Sequence, residues 1–490
     1  MAWRPRLRPK PAALDVLQCC STRRLPLTRH LATEQFKHAA HTAPAWRPSV
    51  ALDEWVQRDA KPISLRQLTY FGRTLTESRL LSSANYVRTE LPTRYDSLVL
   101  PYQSRQRRLL FSLSPKAYHV IGNRLAHRLR DMQTLPYVVL CNPHLAHTYE
   151  LYYKAFERFR RVPEIQTLDD NDRYCKVIKE MLEMHLSVIP RLAIGVLEVE
   201  GLMSPDALDR FMTTLLKSRI SRRVICEQHL ALTETFHSPW HFPDATVQTQ
   251  HADTDSVGEI FLRCNGKEIV ERCAATTASL MRAAYGSDCP IPGLNIVGDP
   301  AVTFPYIQSH LEYIIGELLR NSMQALAEQA RKTGSPPPDI EVLICETPQH
   351  VFFRFSDRGG GIPKDTLPHL WSFSKGPRRS DRIKNLRRVP RMAATMQELQ
   401  AELEGKHSHS SPHSGTTTKS RGSSLSRLTS RPPDLKLGIG LPMSKIYAEY
   451  WAGSLEIHSL EGYGTDAVLM IGKLGNRNEQ LSTRALMDSV

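Results

Sequence analysis

No apolar run in this 490-residue chain approaches the ~20 residues that would span a bilayer, so membrane insertion is not expected. CxxC pairs and metal-ligand spacings are also missing. The nine cysteines therefore read as reduced thiols, not as a disulfide framework or a zinc site. Acidic residues are scarce in two stretches. Residues 1–50 carry nine Lys/Arg against two Asp/Glu, and residues 376–433 carry twelve against four. These stretches account for the whole formal charge of +14 and leave the rest of the chain close to neutral. No basic footprint remains on the expected folded body, and nucleic acid is not expected as a partner.

The first 45 residues are rich in Arg, poor in acid and dotted with Ser and Thr, the composition of a mitochondrial presequence. Pro5, Pro9 and Pro11 exclude an early helix, Ala12–Arg24 suits a short amphipathic one, and Arg29-His30-Leu31 precedes a plausible cleavage point. Residues 60–245 follow with helical patterning. Tyr149–Arg161 and Asp172–His185 have helix spacing, and Pro205–Lys217 opens with Ser204 at the N-cap and Pro205 at the first helical position. Long helices with short connections imply an antiparallel bundle, with Tyr149, Tyr152, Tyr153, Phe156 and Phe159 as its core.

Residues 255–475 have a different texture. His310–Ala330 reads as a helix with one apolar stripe, and Glu317 and Asn321 stand one turn apart on it. A carboxamide oxygen suits Mg²⁺, a hard cation that usually also binds substrate phosphates. A carboxylate beside it can take a proton from a hydroxyl. Asp339–Cys345 and Val351–Ser356 alternate as neighbouring strands, and the second runs into Asp357-Arg358-Gly359-Gly360-Gly361. Asp357 at the mouth of that loop is suited to accept from an adenine amino group. A second glycine cluster, Leu437–Ser444, is expected to open a helix at Ser444–Trp451 and to offer N–H groups to phosphate. Strands at Ser454–Ser459 and Asp466–Ile471, with Gly464-Thr465 between them, complete the order.

ExxxN, DxGxG, GxGL and GT in this order resemble the Bergerat (GHKL) ATP fold of histidine kinases, type II topoisomerases and heat-shock ATPases. The likeness to the mitochondrial 2-oxo-acid dehydrogenase kinases is closer and runs from about Leu135 to Leu474. It is carried by LPYVVLCNPHLAHTYELYYKAF (135–156), SRISRRVICEQHLAL (218–232), HLEYIIGELLRNSMQA (310–325), SDRGGGIP (356–363), GIGLPMSKIYAEY (438–450) and GSLEIHSLEGYGTDAV (453–468). The resemblance implies an α+β chain, an antiparallel helical bundle followed by an α/β-sandwich ATP-binding domain. It also implies a serine kinase acting on the alpha subunit of pyruvate dehydrogenase in the mitochondrial matrix, and so inactivating that complex. The lipoyl domain of the dihydrolipoyl acyltransferase core would recruit it, and it would form a homodimer.

Carried over residue by residue, the resemblance makes Glu317 the catalytic base, Asn321 the Mg²⁺ ligand and Asp357 the adenine acceptor. Gly359 and Gly361 would pass the purine, and Gly438, Gly440 and Leu441 would wrap the phosphates of ATP. Thr465 would support the adenine end, with Ser374 and Lys375 at the lid and potassium as a further cofactor. Departures are visible: Tyr313 stands where pyruvate dehydrogenase kinases carry His, Gln324 where the family often has Arg, and Phe373-Ser374-Lys375-Gly376 where it has paired hydroxyl residues. The Asp-Trp motif of the family's tail is absent from the short tail 476–490.

Tyr313 and Cys141–Tyr152 lean towards the branched-chain 2-oxo-acid dehydrogenase kinase, whereas EGYGTDAV leans towards the pyruvate enzyme. The pyruvate enzyme is the first reading, and the branched-chain kinase and a weakly catalytic ATP-binding scaffold are alternatives. A histidine kinase fits less well, because His229 is followed by Leu, not by an acid. Residues 376–434 read as a disordered lid insertion holding a short helix at Ala393–Leu403. His407, His409 and His413 within it read as linker residues.

Overall fold

A computed structural model describes residues 50–56, 62–72, 75–88, 120–237, 256–392, 435–473 and 478–480. All of them belong to one compact unit, Pro44–Val490; the other unit, Met1–Ala43, holds no described residue. The presequence, the Ala393–Leu403 helix and the three lid histidines lie outside the described residues.

The amino-terminal half is helical, and its boundaries follow local chemistry. Asn142 caps helix Pro143–Arg160 by accepting from the N–H groups of His144 and Leu145, with Pro143 at the first position, where no N–H is needed. Thr167 and Asp170 form a reciprocal capping box at the start of helix Leu168–Met184. Ser204 Oγ accepts from Ala207 N at the head of the 33-residue helix Pro205–His237. That helix runs well past the Lys217 expected from sequence. It packs against helices Glu77–Arg88 and Val120–Gln133 and against helix Gly440–Tyr450 of the other half. The aromatic stripe from Tyr149 to Phe159 is buried, as expected.

The carboxy-terminal half contains a small antiparallel sheet of β1 (Ser256–Val257), β2 (Ile260–Asn265) and β4 (Thr303–Ile307). The main sheet has five strands in the order β3-β5-β6-β8-β7, where β3 is Leu294–Gly298, β5 Ile340–Glu346, β6 His350–Asp357, β7 Ser454–Leu460 and β8 Gly464–Gly472. Only β3 and β5 run parallel within that sheet; β6, β8 and β7 are antiparallel neighbours. Helices Gln308–Thr333 and Gly440–Tyr450 pack on it and on each other. One hydrophobic core runs through both halves, from Leu52 to Ile471. Gln228 on the long helix ties them further: its amide donates to Val257 O at 3.0 Å and accepts from Glu259 N at 2.9 Å.

Two expectations need correction. Helix Gly440–Tyr450 starts four residues before Ser444, so the glycine turn is its first turn. Pro442 falls where a missing N–H costs no hydrogen bond. The described part of the lid, 376–392, is not disordered. Arg379–Arg387 is a helix with Arg382 and Leu386 buried, and Met392 N donates to Leu186 O. It docks on helix Val188–Glu198 through Arg387–Glu198 and beside it through Arg379–Glu200.

The described tail residues, 478–480, pack against the body of the molecule. Asn478 bridges to Ser64, and Glu479 is buried: its N–H donates to Ile63 O at 2.7 Å and its carboxylate accepts from Ile63 N at 3.1 Å. Its carboxylate also meets the Arg124 guanidinium at 2.7 Å and the Tyr450 hydroxyl, joining the amino-terminal helices to helix Gly440–Tyr450. Both charges of this pair are out of water. Glu479→Gln therefore leaves Arg124 without its carboxylate, and urea unfolding should show a loss of about 3 kcal/mol with a lowered midpoint.

Candidate nucleotide site

The site is assembled where β6 ends against helix Gln308–Thr333. Side chains of a strand alternate, and in β6 Val351, Phe353, Phe355 and Asp357 share the buried face. The fourth inward position is thus a carboxylate where a core residue would otherwise stand. A buried carboxylate needs donors, and Asp357 has two: Ser322 Oγ donates to Oδ2 at 2.7 Å and Gly359 N to Oδ1 at 3.0 Å. Each oxygen keeps accepting capacity, so the group can still receive a bond from a ligand amino group.

Thr465 sits directly opposite Asp357 in the β6–β8 register. Its hydroxyl lies 3.1 Å from that of Ser459, which also accepts from Ile362 N at 2.7 Å. The adenine-end candidates from the two glycine motifs are therefore brought together, and Ser459 links them. Gly361 has a structural reason to be glycine. Its φ is +71°, and a Cβ there would stand 2.2 Å from Leu460 O.

Helix Gln308–Thr333 supplies the floor. Between His310 and Ala327 nearly every residue is buried, yet Asn321 is exposed. One turn beyond it, Ala325 is so close to the loop that a Cβ on Gly359 would meet its methyl at 2.8 Å. Asn321 thus presents a neutral oxygen donor beside the DxGxG loop, a donor type that Mg²⁺ accepts. Glu317, one turn earlier, is buried with Arg320 Nε at 4.0 Å from its carboxylate. Gln324 donates to Glu328. His310 and Tyr313 pack on Tyr447 of helix Gly440–Tyr450, at ring separations of 4.7 and 5.1 Å. Burial, reinforced by Arg223, pushes His310 down to about 3, so it is a neutral packing residue. These contacts seat the second glycine turn, with Gly440 and Leu441 in its first helical turn, on the same helix as Asn321.

Ser374 and Lys375 are placed differently. Ser374 is buried towards the helical half: its hydroxyl reaches Pro205 O at 3.4 Å and lies 3.3 Å from Ser372 Oγ, while its N–H donates to Asp209. It is not brought to the Asp357 and Asn321 group. Lys375 is half-exposed, with its N–H held by Ser372 Oγ. The sequence reading missed Ser322, although Leu318, Ser322 and Leu326 fall at successive four-residue steps. A hydroxyl in an apolar stripe needs a partner. Ser322→Ala takes one donor from a buried carboxylate, and thermal unfolding should report a loss of about 1–3 kcal/mol.

A family model described as mitochondrial branched-chain alpha-ketoacid dehydrogenase kinase matches residues 62–104 and 103–261. Another, described as histidine kinase-, DNA gyrase B- and HSP90-like ATPase, matches residues 306–473. Mitochondrial pyruvate dehydrogenase (acetyl-transferring) kinase 2 of Saccharomyces cerevisiae is 30% identical, over 88% of this chain and 86% of its own length. The mitochondrial pyruvate dehydrogenase kinase of Arabidopsis thaliana is 28% identical over 86% and 92%. Human pyruvate dehydrogenase kinase isozyme 3 is 24% identical over 87% and 86%. The chain therefore belongs to the mitochondrial 2-oxo-acid dehydrogenase kinase family, and these relatives are its pyruvate dehydrogenase kinases.

Proposed function

We propose that this protein is an ATP-dependent mitochondrial protein kinase that phosphorylates a serine of the pyruvate dehydrogenase alpha subunit and so inactivates the complex. The observation that carries this reading is the carboxylate of Asp357, held by Ser322 at the end of a strand, opposite Thr465 and beside the glycine loop. The names of the relatives supply the substrate. Asp357 accepts from the adenine amino group, and its two protein donors keep it from turning away. Gly359 and Gly361 let the backbone pass the purine, and Gly438, Gly440 and Leu441 direct N–H groups at the phosphates. Asn321 is the residue that holds Mg²⁺, whose charge offsets that of the phosphates when it is bound. Glu317 orients the serine hydroxyl and accepts its proton.

We further infer a homodimer in the mitochondrial matrix, recruited through the lipoyl domain of the acyltransferase core. The Arg-rich, acid-poor first 45 residues support the address. Among the described residues no helix is long and apolar enough to cross a membrane. A branched-chain dehydrogenase is the second candidate substrate, favoured by the family model over the helical half and by Tyr313.

Transfer of labelled phosphate from ATP to each purified dehydrogenase, presented with its lipoyl-bearing core, tests the reading. Labelling of the pyruvate dehydrogenase alpha subunit is expected, with kcat reduced about 10²–10⁴-fold in Glu317→Gln and Mg²⁺-dependent ATP binding lost in Asn321→Ala. Labelling of the branched-chain enzyme alone would transfer the assignment. Labelling of neither, with ATP still bound, would leave a scaffold.

A further inference from the structure

Arg382 lies outside every nucleotide motif, yet it touches both ends of the segment that separates the two glycine clusters. Its side chain is buried, and its guanidinium donates to four backbone carbonyls. Nη2 reaches Phe373 O at 2.8 Å and Gly438 O at 3.2 Å, Nη1 reaches Lys375 O at 3.0 Å, and Nε reaches Leu437 O at 3.4 Å. The fit against the glycine turn is close. Gly438 has φ +70°, and a Cβ there would stand 2.4 Å from Arg382 Nε. Five fixed donors on a planar head suit such a set of carbonyls, which a lysine cannot match.

A trans peptide holds its C=O and the following N–H in opposite directions. Pinning Leu437 O therefore turns the Gly438 N–H away from Arg382, and pinning Gly438 O turns the Ile439 N–H away. Neither N–H has an acceptor among the described residues. Both stand at the head of helix Gly440–Tyr450. On the other side of the clasp is Asp209, on the long helix of the amino-terminal half. It accepts from Ser372 Oγ at 2.6 Å, Phe373 N at 2.9 Å and Ser374 N at 3.1 Å.

We propose that Arg382 is a positioning residue for phosphate binding: it aims the N–H groups of Gly438 and Ile439 at the nucleotide phosphates, and Asp209 anchors this clasp to the helical half. The assignment rests on the nucleotide reading of the glycine turn given above. Arg382 touches no reacting atom; it acts through the backbone. Its effect falls on the phosphate end of the site and leaves the adenine end, set by Asp357 and Thr465, intact.

Calorimetric titration of the full chain with Mg·ATP and, separately, with adenosine tests this. Arg382→Gln should weaken ATP about tenfold or more, the scale of one lost charge-assisted contact set, while adenosine binding stays within about twofold. Arg382→Lys, which keeps the charge and reaches fewer carbonyls, should recover part of the ATP affinity. It also serves as the test variant if the glutamine protein melts early. Asp209→Ala should shift ATP in the same direction, and KM for ATP should rise more than kcat falls in each variant. Equal weakening of ATP and adenosine, or unchanged ATP binding, would overturn the role of Arg382. Wild-type protein that binds neither compound would instead overturn the nucleotide reading itself.

Discussion

A single carboxylate, Asp357, sets the terms for the carboxy-terminal half. It occupies the last inward position of β6, where burial alone would disfavour a charge. The structure around it answers that cost with the Ser322 hydroxyl and the Gly359 N–H, and both donors fix larger parts. Ser322 ties helix Gln308–Thr333 to the end of β6 beside the exposed Asn321. Gly359 fixes the start of the glycine loop against Ala325. A ligand that bonds to Asp357 therefore meets a metal-ligand candidate and a close backbone whose relative positions are already determined, which is what phosphoryl transfer requires of a protein.

The helical half is not a separate appendage to that site. Helix Pro205–His237 carries Asp209 to the start of the lid, Lys217 to Glu449 on helix Gly440–Tyr450 and Gln228 to the small sheet. Glu198 and Glu200 hold the lid helix Arg379–Arg387 from the same side. Glu479 closes the circuit by joining Ile63, Arg124 and Tyr450. Three stretches distant in sequence (the amino-terminal helices, the lid and the tail) thus converge on the two helices that frame the nucleotide site.

The parts of the site that were legible in the sequence share a property: their chemistry is local. Glycines that permit a turn, an Asp at a strand end, and an Asn one turn from a Glu are spacings within one element or one turn. Such spacings put Asp357, Gly359, Gly361, Asn321 and Thr465 on the elements where the structure has them. Ser374 and Lys375 were placed by position after a motif, and there the local pattern carried no direction. The Ser374 hydroxyl faces Pro205 because Asp209 captures the backbone beside it. The polar, basic composition of the lid reads as disorder apart from a short helix at Ala393–Leu403. Yet Arg382 reaches the carbonyls of Leu437 and Gly438, which lie 55 and 56 residues on, and Leu386 is buried.

By itself the sequence determined the two-part organisation, the helical character of the first half, the strand alternation of the second and the order of the four glycine and Asn motifs. All of these depend on periodicity and turn chemistry within about twenty residues. Only the tertiary structure decided that Ser322 serves Asp357, that Arg382 joins both ends of the lid, and that Glu479 of the tail is an internal ion-pair partner. Those pairs are 35, 7 to 56 and 355 residues apart. Their formation depends on which faces the packed helices and sheet turn towards each other, and no local propensity encodes that.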